Sequence, residues 1–386
     1  MTNVDVFIPC YNYGRFLART VASILSQEGV QVRVLIIDDL STDGSLLEAR
    51  RIASLDSRVS VLSHWVNKGH IATYNEGIAW ASAPYMVLVS ADDLLAPGAL
   101  SRSIALMEAQ PNVGFAFGQT RHFADAGDNE AEAVMQARAA DSRCSVIPGQ
   151  EFIAGICREP VNPVPASGAI VRTALQKRLG GYLPELPHAG DLEMWLRLAA
   201  RADVGMLQAP TALTRLHTTN MRHSYHAERM IGDYRQRASA FDLFFEANAG
   251  RLAGANALMR AAKRSLAMEV LVGSNKSFDF NDDAGMAQLR GLAKEIDPTI
   301  TRTAYWWRTV VKRAVGWECC QRISQAKTAF GRITASRRFG QESSFFGDDR
   351  ALTSLSSPSR ARQPFSTREG PSEGTPTAAG EAGNER

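Results

Sequence analysis

Along the first hundred residues, short apolar runs alternate with stretches whose apolar positions recur every three or four residues. Val4 to Ile8 is an apolar-rich run closed by Pro9 and reads as a strand. From Phe16 to Gln27, the side chains of Phe16, Leu17, Val21, Ile24 and Leu25 share one helical face. Val32 to Ile37 is β-branched and almost wholly apolar, as a strand is when both faces of its sheet are covered. The turn and helix-start residues DDLSTDGS lead into a helix over Leu46 to Ser54, and a third strand follows over Val59 to Ser63. NKGHIATYNEGIAWA supplies a loop and helix, and Tyr85 to Val89 a fourth strand. This alternation predicts βαβ units, hence an α/β fold with a mostly parallel, helix-covered sheet.

The pattern then loosens. Ala99 to Ala109 reads as a helix, Val113 to Gln119 as a strand and His122 to Ala140 as an exposed excursion. Pro160, Pro163 and Pro165 are expected to break any helix between Phe152 and Ser167. Ala169 to Val171 is a short strand, and Asp191 to Arg201 a helix with Leu192, Trp195, Leu196 and Ala199 on one face. Beyond His226 the chain reads as helical to about Ile333. From about Gln341 it is rich in Ser, Gly, Pro and charge and predicts disorder. The expected division is residues 1–225, a helical extension over 226–340 and a tail over 341–386.

Composition changes this picture at few points. The formal net charge of +3 is uneven: nine Lys or Arg against Glu318 alone lie between Thr299 and Gly340, so the body before them is mildly acidic. That balance argues against a nucleic-acid binder. Cys10, Cys144, Cys157, Cys319 and Cys320 follow neither a zinc spacing nor a disulfide framework, which predicts a reducing compartment. The N-terminus lacks the pattern of a signal peptide, and no run of about 18 apolar residues exists. A cytoplasmic protein is expected.

Ligands of such sheets bind beyond the carboxyl ends of the strands. Three polar clusters fall there: Cys10–Arg15, Asp38–Ser45 and Ser90–Asp93. The adjacent carboxylates Asp92 and Asp93, with no His or Cys beside them in sequence, suit a hard cation such as Mg²⁺ or Mn²⁺, whose shell a phosphate-bearing substrate and water would complete.

The stretches VFIPCYNYGRFLARTVASILSQ, VLIIDDLSTDGS, NKGHIATYNEGIAWASAPYMVLVSADDLLAPGAL and SGAIVRTALQKRLGGYLPELPHAGDLEMWLRLA together resemble the family 2 glycosyltransferases, in order and spacing, over about the first 220 residues. The resemblance implies the A-type glycosyltransferase fold, a Rossmann-like nucleotide-diphospho-sugar transferase sheet. It also implies a nucleotide-sugar donor (UDP first, GDP or dTDP next), a divalent metal and inversion at the anomeric carbon.

By the same resemblance Pro9 and Tyr11 hold the nucleobase. Asp39, with Asp38 beside it, accepts a base hydrogen bond, and Lys68 contacts base or phosphate. Ser90 stands where the family commonly has an Asp and is placed at the ribose, while Asp92 and Asp93 take the metal. Asp191 matches the catalytic base, Gly190 replacing the acidic residue that often precedes it; Glu193 supports the pocket and Trp195 anchors the core. His217 matches a position that ligates metal or contacts phosphate, with His223 a weaker substitute and Arg215 and Arg222 candidate phosphate contacts.

The function implied is transfer of one sugar to a hydroxyl of a saccharide or lipid-linked acceptor, in cell-surface polysaccharide or glycan biosynthesis. The Gln-x-x-Arg-Trp motif of processive relatives is absent. Two other readings are a sugar nucleotidyltransferase, for which PCYNYGR is a poor loop, and a non-catalytic nucleotide- or glycan-binding module. The basic, Trp-bearing stretch TAYWWRTVVKRAVGWECCQRISQAKTAFGRI suits peripheral contact with an anionic membrane face or a helix packed on the domain.

Overall fold

A computed structural model describes residues 1–124, 143–217 and 230–322, all within one unit, Met1–Phe345. Most of the excursion read over 122–140, His223 and Arg222, the distal part of the basic stretch and the tail from Gln341 lie outside the described residues.

The predicted alternation is present. Strands β1 (Thr2–Cys10), β2 (Val30–Asp38), β3 (Val59–Ser63) and β4 (Tyr85–Leu88) are separated by helices α1 (Gly14–Leu25), α2 (Ser45–Leu55) and α3 (His70–Trp80). They pair in the order β3-β2-β1-β4, every pair parallel. Their apolar runs are buried, Val4, Val6, Ile8, Val34 and Ile36 completely, because helices cover both faces.

The other half of the sheet is mixed. After the two-residue β5 (Leu94–Leu95) and α4 (Ala99–Ala109) come β6 (Val113–Ala124), β7 (Cys144–Ile147), α5 (Gly149–Arg158), β8 (Ile170–Arg172), α6 (Thr173–Leu179), α7 (Gly190–Ala199) and the long β9 (Asp203–Leu216). β8 is antiparallel to both β4 and β6, β6 and β9 are parallel, and β5 and β7 pair antiparallel to β9. The nine-stranded sheet is therefore parallel through its N-terminal half and mixed beyond β4.

One expectation needs correction. The prolines do not exclude a helix after Phe152: α5 runs through it, burying Phe152, Ile153 and Ile156, and stops at Arg158. Proline constrains its own position and the residue before it, so Pro160 ends the helix at Glu159 and leaves the upstream turns intact.

Beyond the sheet, α8 (Ile231–Asn248), α9 (Ala255–Asp279), α10 (Asp283–Ile296), a 3₁₀ turn (Pro298–Arg302) and α11 (Ala304–Val315) form the helical extension. Phe241, Phe244, Leu266, Val270, Leu271 and Met286 build its core. Arg237 of α8 ties it to the rest: the guanidinium pairs with Asp233 and Glu269 and donates to the Pro160 carbonyl at 2.6 Å.

Polar residues on α1 position the loop that follows β4. Thr20 and Ser23 of α1, and Gln27 just past its end, recur at near-helical spacing and face this loop. Thr20 Oγ1 donates to the Ala91 carbonyl at 2.8 Å, Ser23 Oγ accepts from Leu95 N at 3.0 Å, and Gln27 Nε2 donates to the Ala96 carbonyl at 2.9 Å. A loop satisfied by side chains in this way holds its backbone groups out of water without a strand partner. Asp92 and Asp93 sit in its middle.

Candidate active site

A cavity of about 1000 Å³ opens at the carboxyl ends of β1 and β4. Asp92, Asp93 and Asp191 all line it, with Pro9, Tyr11, Asp39 and Ser90. The strand-end clusters and the helix-start acid, far apart in sequence, thus face one space.

Its first wall is two interlocked loops. Asn12 takes a left-handed conformation (φ 61°), and its Oδ1 accepts from Thr42 N at 2.8 Å. Gly14 N donates to Ser45 Oγ at 2.7 Å, and a Cβ at Gly14 would stand 2.7 Å from Ser45 Cα, so only glycine fits. Asp39 is held by backbone donors from the third loop: Lys68 N at 2.7 Å on Oδ1 and Gly69 N at 2.8 Å on Oδ2. His64 Nδ1 lies 2.7 Å from the same Oδ1.

Two other donor-side candidates do not line the cavity. Asp38 is buried, its Oδ2 accepting from Ser41 N while Oδ1 has no partner. Neighbouring side chains on extended backbone point to opposite sides, so Asp38 and Asp39 cannot share one task. Lys68 sends its ammonium to Glu76 of α3 and offers Asp39 its backbone N–H instead.

The second wall carries the acid pair. Asp93 accepts from Ser167 Oγ at 2.7 Å and from Arg215 N at 3.1 Å. Asp92 Oδ2 lies 2.9 Å from His217 Nε2, and Arg215 Nε donates to the Asp92 carbonyl at 3.2 Å. The Arg215 guanidinium is sandwiched between the Phe16 and Phe123 rings, so it braces the pair from behind. Burial, with the Asp92 charge adding to it, pushes the Asp93 carboxyl up to about 7.

These residues suit a hard divalent cation. Two adjacent carboxylates with unbalanced negative charge, and one imidazole on Asp92, are oxygen and nitrogen donors of the right kind. Among the described residues no three His, Cys, Asp or Glu groups converge as a closed site. The remaining positions would fall to diphosphate oxygens and water, the usual condition of a magnesium-type site.

The third wall holds Asp191 in the first turn of α7. The Tyr182 hydroxyl hydrogen-bonds its carboxylate, while Oδ1 is buried with no partner in the protein. Burial pushes its pKa up, opposed by that hydrogen bond and the nearby His70. His70 also lines the cavity; its Nε2 meets the Pro187 carbonyl at 2.7 Å and its ring stands edge-on to Tyr74 at 5.5 Å. Glu193, two residues on and so on another side of the helix, pairs with Arg197 and stays out of the cavity. Trp195 stacks on Phe115 at 5.1 Å inside the core.

The sequence reading missed His64, His70 and Tyr182. His70 and Tyr182 stand in stretches already singled out and His64 just ahead of one; their signal was a lone His or Tyr beside a loop acid, which carries meaning only once distant segments meet.

The chain matches the family described as "Glycosyl transferase family 2" over residues 5–151. An uncharacterized glycosyltransferase of Haemophilus influenzae is 21% identical over 239 residues, spanning 58% of this chain and 69% of the relative. The putative glycosyltransferase EpsE of Bacillus subtilis is 33% identical over 27% of this chain, and the succinoglycan biosynthesis protein ExoO of Rhizobium meliloti 32% identical over 28%. These last two matches span only 38% and 30% of the relatives' own lengths. Among solved structures, S. aureus TarS 1–349 in complex with UDP shares the fold with a TM-score of 0.52 at 14% identity, over 77% of this chain and 81% of that one. The family match takes in the parallel half of the sheet and the acid-bearing loop, and over that stretch the chain is similar to the family 2 glycosyltransferases.

Proposed function

We propose that the protein is a metal-dependent inverting glycosyltransferase that moves a single sugar from a nucleotide-diphosphate donor to a hydroxyl of a saccharide or lipid-linked acceptor. One observation carries the reading: Asp191 and the Asp92–Asp93 pair line the same cavity from different walls. Pro9, Tyr11 and Asp39 receive the nucleobase, and Ser90 lies toward the ribose. Asp92 and Asp93 would hold Mg²⁺ or Mn²⁺, with His217 placed against Asp92, and the cation would supply positive charge to the diphosphate.

Asp191 takes the proton from the acceptor hydroxyl as its oxygen attacks the anomeric carbon. A carboxylate raised by burial, with a free oxygen, is a stronger base than one in water. One displacement from the face opposite the leaving group inverts the configuration. The loop Asn162–Ala166 lines the rim and supplies apolar surface to an acceptor through Pro163, Val164 and Pro165. Membership beside ExoO favours polysaccharide biosynthesis as the setting.

The catalytic domain is assigned to residues 1–225, the helical extension to 226–340 and the tail to 341–386. No helix among the described residues is long and apolar enough to cross a membrane. Peripheral contact through α11 is supported by Trp307, Val311 and Val315, which are 59%, 57% and 43% exposed at four-residue spacing. Flotation with anionic liposomes tests it, and equal recovery on neutral liposomes removes it.

The function itself is tested with a panel of UDP-, GDP- and dTDP-sugars with Mn²⁺ or Mg²⁺, reading released nucleoside diphosphate. Asp191→Asn should lower turnover by about 10²–10⁴-fold while UDP binding persists. Undiminished transfer by that variant would remove Asp191 from the chemistry.

A further inference from the structure

His64 follows β3 and is 6% exposed. Its two ring nitrogens are both engaged by carboxylates: Nδ1 by Asp39 Oδ1 and Nε2 by Glu76 Oε2, each at 2.7 Å. Neutral imidazole has one N–H, so both contacts are hydrogen bonds only when both nitrogens carry hydrogen. Burial pushes the Glu76 carboxyl up, but hydrogen bonds from Lys68 and His64 outweigh it and hold the group below its ordinary value.

The bridge connects three segments. Asp39 ends the loop from β2, His64 the turn after β3, and Glu76 belongs to α3. Asn67 Nδ2 donates to the Asp39 carbonyl at 3.0 Å, so the side chain and backbone of Asp39 are fixed from the same turn. Asp39 Oδ1 is saturated by His64 and Lys68 N, whereas Oδ2 has taken only Gly69 N and keeps acceptor capacity on the residue that lines the cavity.

We propose that His64 is a positioning residue for the donor: bridging Asp39 and Glu76, it fixes the carboxylate rotamer that presents one free acceptor to the nucleobase. The inference rests on the donor reading of the cavity given above. His64 touches neither donor nor acceptor; it acts through Asp39. Two backbone N–H groups alone leave the carboxylate free to rock about its Cβ–Cγ bond, and the ring blocks that motion on the side away from the cavity. Glu76 holds the ring in plane and, through Lys68, holds the loop that supplies those N–H groups.

The test uses the full chain with Mn²⁺ and two variants, His64→Asn and Glu76→Gln. UDP and GDP binding is read by calorimetry, the donor and acceptor KM and kcat by turnover, and folding by circular dichroism. His64→Asn should weaken binding of the preferred nucleoside diphosphate and raise donor KM by about tenfold or more, an effect of the size that supporting residues have on bound groups. Its kcat and acceptor KM should stay within about twofold. Glu76→Gln should shift the same two quantities in the same direction by less.

Unchanged nucleotide affinity in folded His64→Asn overturns the proposal, as does a common fall in kcat with shifts in both KM values, the mark of a general brace. Should His64→Asn fail to fold, unchanged affinity in folded Glu76→Gln overturns it instead. A parent protein that binds neither UDP nor GDP overturns the donor reading and this inference together, whereas a parent that binds and variants that bind equally well remove this inference alone.

Discussion

Replacing Asp93 by asparagine removes a buried charge and leaves the shape almost unchanged. In the folded protein burial and the Asp92 charge push the Asp93 carboxyl up to about 7, against an ordinary 3.8. The folded state then holds a proton that the unfolded chain has already released. Stability is unaffected below the ordinary value, declines as pH rises toward about 7, and falls no further above it. At about 1.4 kcal/mol per pH unit, the interval corresponds to a loss on the order of 4 kcal/mol in the metal-free protein, about 3 of it above pH 5.

In Asp93→Asn the side-chain carbonyl still accepts from Arg215 N, and the amide can donate to the Ser167 oxygen that now donates to Asp93. The penalty should vanish. Urea unfolding of both proteins with chelator, at about pH 5 and about pH 8, measures it. Burial also pushes Asp191 and Glu193 up, so the quantity to compare is the difference between parent and variant. The parent should lose about 3 kcal/mol more than the variant. Equal losses would refute the account of two charges forced together. Adding Mn²⁺ at the higher pH should stabilise the parent and leave the variant nearly unmoved, because a cation that binds only the folded pair shifts the balance toward it.

His217→Ala should weaken Mn²⁺ binding in the presence of UDP by at least about tenfold, read by calorimetry; an unchanged affinity would leave His217 as a partner for Asp92 only. Arg237→Ala should cost about 1–3 kcal/mol in urea unfolding, chiefly because the Pro160 carbonyl loses its donor, while Glu269 and Asp233 remain partly open to water. The same variant should raise acceptor KM more than donor KM, because Pro160 begins the loop on the acceptor rim; equal effects on both would count against that placement.

The parallel half of the fold was legible because β1, the end of β2 and β4 are buried on both faces and so read as apolar runs. β1 to β4 and their helices follow from local pattern alone. The mixed half was less legible: β6 and β9 pair across about ninety residues, and β7 is four residues long with alternate residues only half-buried. The prolines misdirected the reading at α5, since their effect reaches only one residue back.

Asp92 and Asp93 stood out by their position after a strand and Asp191 by the family resemblance, and all three line one cavity. Asp38 and Lys68 were read one atom too coarsely. Extended backbone turns Asp38 away from the cavity, and Lys68 serves through its amide instead of its ammonium. His64 was beyond reach because its meaning depends on three segments that touch only in the folded chain.

The Arg237 anchor ties the upkeep of the cavity to the bundle. A helix outside the nine-stranded sheet holds the carbonyl of Pro160, just ahead of the rim segment Asn162–Ala166. Local opening of the bundle would loosen that rim while the loop bearing Asp92 and Asp93, secured from α1, stays in place.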